Sequence, residues 1–239
     1  MTSGVSGFET FLIWNYDKVL EILNISGPSQ SRDVVDVTSH DSASGFREFV
    51  AGVISGGEIS LEGNLIVGDT LGQIAFHTDV QGGTKRSCFI VMPMAVGAAL
   101  SFEALAKGFE SAFPFDSKID LSGSLQVTGK PTLLTTQCAG MSGLTGIEST
   151  AATALTITPA IAVGTYAYAC TVNTASTWVK LTATAAAHIV YIQGVLEATG
   201  VQSAEVALGA AGTTTDVLII VYKAAESPRL YTLTVTRPV

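Results

Sequence analysis

Strict alternation of apolar and polar residues is the clearest pattern in this chain. From Lys118 to Thr128, Ile119, Leu121, Gly123, Leu125 and Val127 alternate with Lys118, Asp120, Ser122, Ser124, Gln126 and Thr128. That period predicts a strand with one face buried and the other in water or lining an aqueous lumen. Gly129-Lys130-Pro131 is expected to end it, because proline cannot donate to a ladder. Glu58, Ser60, Glu62 and Asn64 alternate likewise with Ile59, Leu61, Gly63 and Leu65, after a turn at Gly56-Gly57. Arg86 to Met92 is nearly all apolar, as in a strand covered on both faces. One helix is predicted where Thr70 and Gln73 form a T-x-x-Q capping box. Leu71, Ile74 and Ala75 would share its apolar face and Gly82-Gly83 would stop it. Ser101 to Phe113 carries a helical stripe (Phe102, Leu105, Ala106, Phe109, Phe113) with a favourable Glu103–Lys107 pair, so propensity favours a helix there.

The second half has a different texture. Short Thr- and Val-rich strands are predicted at Ala154–Ile157, Tyr166–Val172, Trp178–Ala183, His188–Gln193, Asp216–Lys223 and Tyr231–Thr236, with small-residue turns between them. Such spacing suggests an immunoglobulin-like sandwich, with Trp178 as a core anchor. Thr135 to Gly146 is small and uncharged and reads as a linker. The expected organisation is a first domain over 1–138, a linker over 139–146 and a β-sandwich over 147–239. The fold class is all-β with one short helix.

Composition narrows the function. The 239 residues are 47% hydrophobic and 13% charged, with ample material for a core. A mean hydropathy of +0.44 suits a protein that buries further surface by assembling. No apolar run reaches the roughly 20 residues of a spanning helix. No Lys or Arg precedes Lys18, and the apolar Phe11–Trp14 patch is brief, which argues against a secretory signal. Residues 1–143 hold 15 acidic against 8 basic side chains, a balance of −7, while 144–239 balance at −1. An acidic domain is a poor grip for phosphates; ordinary solubility chemistry accounts for the balance, and an acidic wall that lets a duplex pass without sticking is the alternative.

Candidate chemistry is sparse. The histidines are His40, His77 and His188, and no G-x-S-x-G elbow accompanies them. Cys88, Cys138 and Cys170 are odd in number and widely spaced, so spacing supports neither a disulfide framework nor a zinc site. Gly82 to Ser87 lacks the order of a phosphate loop. Glu58 and Glu62 are too far apart along a strand to share a proton. No catalytic, metal or cofactor-binding residue is assigned, and no enzyme activity is expected.

The stretch Asp36 to Asn64, DVTSHDSASGFREFVAGVISGGEISLEGN, resembles the signature of the tail tube proteins of long-tailed, non-contractile bacteriophages. In the order of that family come the strand ending in DVTSHDS (Asp36–Ser42), the GFREFVAGV connector (Gly45–Val53) and the GGEISLEGN strand. The Gly68-Asp69 helix start and the TGKP close (Thr128–Pro131) follow. The resemblance spans Val19 to Leu133. It implies a tail-tube β-sandwich or barrel, with a strand over the first half of 101–113, the reading adopted here. It also implies hexameric rings that stack into the conduit for DNA ejection. The loop around Asp36–Phe49 would join subunits or rings. Asp36, Thr38, His40, Asp41, Ser42, Arg47, Glu48 and Phe49 are the interface candidates. The alternative for Phe46 and Phe49 is packing onto their own core. Glu58, Glu62 and Asp120 are the lumen-facing candidates. Implied partners are the chain itself and the tape measure, tail terminator and distal tail proteins. DNA would pass without specific binding and no membrane would be involved. The place is the virion tail, with assembly in the host cytoplasm.

The later segments Leu155–Pro159, Leu208–Thr215 and Tyr231–Arg237 resemble cadherin-like β-sandwich domains of bacterial and phage surface proteins. Two alternatives stand beside the tail reading: a tube protein of a contractile injection machine, and a surface adhesin binding carbohydrate through the sandwich.

Overall fold

The computed structural model describes residues 7, 9–42, 46–93 and 95–239. Among them the chain is almost entirely β with one helix. The first strands are β1 (Phe11–Trp14), β2 (Asp17–Lys18), β3 (Ile22–Ser26), β4 (Ser31–Asp36), β5 (Phe49–Ser55) and β6 (Glu58–Asn64). Helix α1 (Gln73–Gly82) follows, then β7 (Lys85–Val91), β8 (Ala99–Ala112) and β9 (Asp120–Leu134). The remainder comprises β10 (Gly143–Glu148), β11 (Ala167–Thr171), β12 (Trp178–Thr184), β13 (Ile189–Ile192), β14 (Val195–Glu197), β15 (Val206–Ala207), β16 (Thr213–Tyr222) and β17 (Arg229–Arg237). A seven-stranded sheet has the order β2-β1-β7-β8-β9-β6-β3, and β4-β5 form a separate two-stranded sheet. Sheets ordered β10-β12-β15 and β11-β17-β16-β13-β14 complete the described strands. No helix of the described residues is long and apolar enough to cross a membrane.

The chain forms two compact units that do not divide at 139–146. One unit joins Met1–Lys18 and Phe89–Leu100 to Leu133–Val239; the other comprises Val19–Cys88 and Ser101–Thr132. The expected linker belongs to the sandwich. Gly143–Glu148 pairs with β12, and Cys138, Met141 and Leu144 are buried in the sandwich core. The Met141 N–H donates to the Tyr231 hydroxyl at 2.9 Å. The segment is held by its strand pairing and by the buried Cys138, Met141 and Leu144, while Ala139, Ser142 and Thr145 between them are exposed.

In the Val19–Cys88 and Ser101–Thr132 unit the alternation holds. β6 reads exposed-buried along Glu58–Gly63, with Ile59 fully buried and Leu61 nearly so. Its partner β9 places Leu125 opposite Ile59 and Leu121 opposite Gly63. Helix α1 covers this apolar side, with the Phe76 ring so close that a Cβ on Gly123 would meet it at 3.2 Å. Gly57, at φ +78°, makes the turn between β5 and β6. Ser101–Ala112 is strand throughout, because cross-strand neighbours outweigh local helix propensity.

The helix begins differently from the expectation. Thr70 caps nothing. Asp69 accepts from the N–H groups of Gly72 (3.0 Å), Gln73 (2.9 Å) and Leu20 (3.0 Å). Gln73 is fully buried: its amide donates to the carbonyls of Leu20 (2.9 Å) and Asn64 (2.8 Å) and accepts from Ile66 N–H (2.8 Å). The buried face is Gln73, Phe76 and Asp79, not Leu71, Ile74 and Ala75, and Leu71 is exposed. Gly83 stops the helix in the left-handed conformation, as the Gly-Gly pair predicts. β9 runs on through Pro131 to Leu134. β6 pairs with Asp120–Gln126, so the missing N–H of Pro131 falls beyond that partner, where proline is tolerated.

In the other unit the sandwich core is built from both sheets, including Val179 and Leu181 of β12, Val217, Ile219 and Val221 of β16, and Leu233 and Val235 of β17. Ala154–Ile157 is not a strand; it contributes a bridge at Ala154. Trp178 is half-buried beneath the Lys180 ammonium, 4.9 Å from its centroid, while Val179 takes the core position. The fully buried tryptophan is Trp14. A second apolar cluster joins Ile13, Phe89, Val91, Ala99 and Leu134 to Ile220, and Tyr16 stacks on Tyr191 at 3.9 Å.

Candidate assembly surface

The β4–β5 hairpin contributes no buried apolar residue to the core. Its residues run exposed along β4 and, except for half-buried Gly52, along β5. Register places Val34 opposite Ala51 on one face, and Val35 opposite Val50 on the other. Val53 is 78% exposed, and Ile54, Val34 and Phe46 are exposed as well. Strands apolar on both faces belong between two covers. A two-stranded ribbon is marginal in water alone, and an uncovered apolar patch of this kind marks an interaction surface. Phe46 and Phe49 do not pack onto their own core: they are 75% and 54% exposed.

The polar candidates do local work at the open end of this ribbon. β4 stops at Asp36, so DVTSHDS is not a strand, whereas the presumed connector supplies β5 from Phe49. Gly45, at the connector's start, lies outside the described residues. The Asp36 carboxylate accepts from Thr38 N–H at 2.9 Å and lies 3.8 Å from Arg47. Hydrogen bonds from Thr38, the hydroxyl first and the N–H second, hold the Asp36 carboxyl below its ordinary range. The Thr38 hydroxyl accepts from Glu48 N–H at 2.9 Å. Ser39 N–H donates to the Ser42 hydroxyl (2.9 Å) and Asp41 N–H to the Ser39 hydroxyl (3.2 Å), a tight polar turn carrying exposed His40. The valines and Ile54 were missed as candidates because apolar strand residues ordinarily signal a core.

The lumen candidates share the outward face of β6 and β9. Glu58 pairs with Lys107, Glu62 accepts from Asn24 at 3.2 Å, and Asp120 lies 3.7 Å from Lys118. Ser60 and Glu62 face Ser124 and Ser122 across the ladder. Glu103 pairs with Lys85 at 2.7 Å. This face is polar and close to charge-balanced, less acidic than the unit's overall balance suggests.

Three residues far apart in sequence converge in the sandwich unit. Donor atoms of Cys138, His188 and Glu226 lie within 4.8 Å of one another. Cys138 is fully buried, and burial pushes its thiol up to about 11. Cys170 is pushed to about 11 and Cys88 higher, both by burial, so no thiol has the lowered pKa of a reactive cysteine. The ion pair to Lys223 holds the Glu226 carboxyl below its usual range.

Comparison with known proteins gives two kinds of likeness. Residues 152–238 match the family model of the cadherin-like beta sandwich domain. Among solved structures, a chain in the virion of a native gene transfer agent particle aligns at 18% identity and a TM-score of 0.46, covering 54% of this chain and 98% of its own. A chain in the C6-symmetric tail of an empty gene transfer agent particle gives 18% and 0.45, with the same coverage. A chain in the sheath/tube terminator of an extracellular contractile injection system gives 14% and 0.45, covering 55% and 97%. No curated protein sequence matches the chain. These three chains thus come from gene transfer agent particles and a contractile injection system, and the chain's C-terminal segment is similar to a cadherin-like β-sandwich.

Proposed function

We propose that this chain is the tube-forming protein of a non-contractile, phage-type tail, assembling into hexameric rings that stack into a conduit for DNA. The observation that carries the reading is the β4–β5 ribbon, which carries exposed apolar residues on both faces (Val34 and Ala51, Val35 and Val50) and is covered on neither. A neighbouring subunit supplies the missing covers, and head-to-tail repetition of that contact builds an open filament of stacked rings. The Asp36–Asn64 likeness to the tail tube signature falls on this same ribbon and the strand after it. Asp36, Thr38, Arg47 and Glu48 hold its open end in shape, while Val34, Val35, Phe49, Val50 and Val53 make the contact.

Glu58, Glu62 and Asp120 face the lumen in this reading. Their lysine and asparagine partners leave a wall that neither grips nor strongly repels a duplex. The sandwich is a decoration on the outside of the tube. Electron microscopy of the concentrated protein, with light scattering for mass, is the test. Rings or hollow tubes from the wild type, lost in Val50→Asp with folding intact, are expected. Tubes formed as readily by Val50→Asp would sink the proposal.

A further inference from the structure

Cys138, His188 and Glu226 come from three separate places in the sandwich unit: the lead-in to β10, the β12–β13 turn and the β16–β17 turn. Backbone bonds hold two of them in register. Cys138 N–H donates to Ser227 C=O at 3.0 Å and Ser227 N–H donates to Thr136 C=O at 2.7 Å. Cys138 and Glu226 are therefore fixed to each other independently of their side chains.

The imidazole decides what the cluster is for. His188 Nδ1 faces the carbonyl oxygen of Ala186, and a carbonyl only accepts, so Nδ1 carries the proton. In the neutral ring, Nε2 is then a lone pair. That atom is buried without a hydrogen-bond partner on a side chain only 5% exposed, and Glu226 Oε2 lies 3.5 Å away. Lys223 occupies the other carboxylate oxygen, Oε1, which turns Oε2 toward the imidazole. A ring nitrogen lone pair, a carboxylate oxygen and a thiol thus lie within 4.8 Å of one another.

We propose that Cys138 Sγ, His188 Nε2 and Glu226 Oε2 bind a divalent transition metal of the zinc type. Sulfur, imidazole and a single carboxylate oxygen suit zinc or cobalt and not calcium or magnesium, which demand oxygen ligands. The Nδ1–carbonyl bond is the outer contact that fixes a metal-binding imidazole in place, and Lys223 does the same for the carboxylate. Three protein ligands leave the fourth tetrahedral position to water or to a group from outside. The metal would cross-link the lead-in segment to two turns of the sandwich and stabilise the folded state by mass action. The rival is a protonated His188 in a plain ion pair with Glu226.

Full-length protein equilibrated with Zn²⁺ and dialysed is expected to retain one zinc per chain, to melt at higher temperature than after EDTA, and to bind Co²⁺ with thiolate-to-cobalt charge-transfer absorption. His188→Asn and Glu226→Gln should each weaken zinc affinity by at least about 100-fold, beyond the roughly 10–100-fold typical of outer contacts. Both alter the less buried ligands, so they keep the test sound if Cys138→Ser fails to fold. Circular dichroism in EDTA checks that they remain folded. Wild type that dialyses free of zinc, a melting temperature indifferent to zinc, or undiminished binding in both variants would overturn the site. None of these outcomes depends on whether tubes form.

Discussion

Two hairpins of this protein, β4–β5 and β16–β17, carry apolar residues on both faces, yet only one is finished by its own chain. In β16, Val217, Ile219 and Val221 point into the sandwich core, while Ile220 lies in the second cluster with Ile13 and Phe89, and Leu218 and Tyr222 pack against it. In β4–β5, Val34, Val35, Val50 and Val53 are all exposed, and neither strand pairs with the seven-stranded sheet. A two-sided apolar strand needs two covers. Where the chain supplies both, the strand is core; where it supplies neither, the strand is an unfinished half of an interface.

The most damaging way to break the comparison is to remove the covers of β16's partners. Truncation after Gly143 deletes Ile220, Tyr191 and Tyr222 and uncovers Ile13, Phe89 and Val91. The truncated chain is expected to aggregate or lose cooperative unfolding, which calorimetry and light scattering would reveal; a soluble, sharply melting fragment would contradict it. Val53→Asp in the exposed hairpin should do the opposite, abolishing polymerisation while leaving the thermal midpoint within about 1–2 °C, as for a surface substitution. A midpoint that falls sharply would mean that Val53 is covered after all.

Smaller effects sharpen the contrast. Leu233→Ala in β17 should cost about 2–5 kcal/mol by leaving a cavity in the sandwich, measured by denaturant unfolding. Gln73→Leu should cost about 1–3 kcal/mol, because it strands the carbonyls of Leu20 and Asn64 and the N–H of Ile66. Least of all, acid should loosen the open end of the β4–β5 ribbon. The Asp36 carboxyl is held below its ordinary value, so its contribution is present above the unfolded pKa and is lost as pH falls through the lower folded one. Amide exchange at Thr38 should quicken only below the usual carboxylate range, and Asp36→Asn should remove that acid step.

Much of the fold was readable in the residues because its strands are amphipathic. Glu58–Asn64 and Asp120–Val127 alternate in sequence as they do in burial. The polar end of the ribbon was readable too, since Asp36, Thr38 and Ser39 are residues that bond their own backbone. Asp69 caps the helix start that the Gly68-Asp69 likeness implied, whereas Gln73 was misread because a T-x-x-Q match is local, while its amide donates to the carbonyls of Leu20 and Asn64. Pro131 was misread as a stop because sequence does not show where a partner strand ends.

By itself, the sequence determined the all-β character, the one helix, and the change of texture between the two halves, because periodicity and turn residues act over a few positions. Only the tertiary structure decided which apolar strands are covered, that residues 139–146 are sandwich and not tether, and that Cys138, His188 and Glu226 meet. Cover and convergence depend on residues scores of positions apart, and no local pattern carries that information.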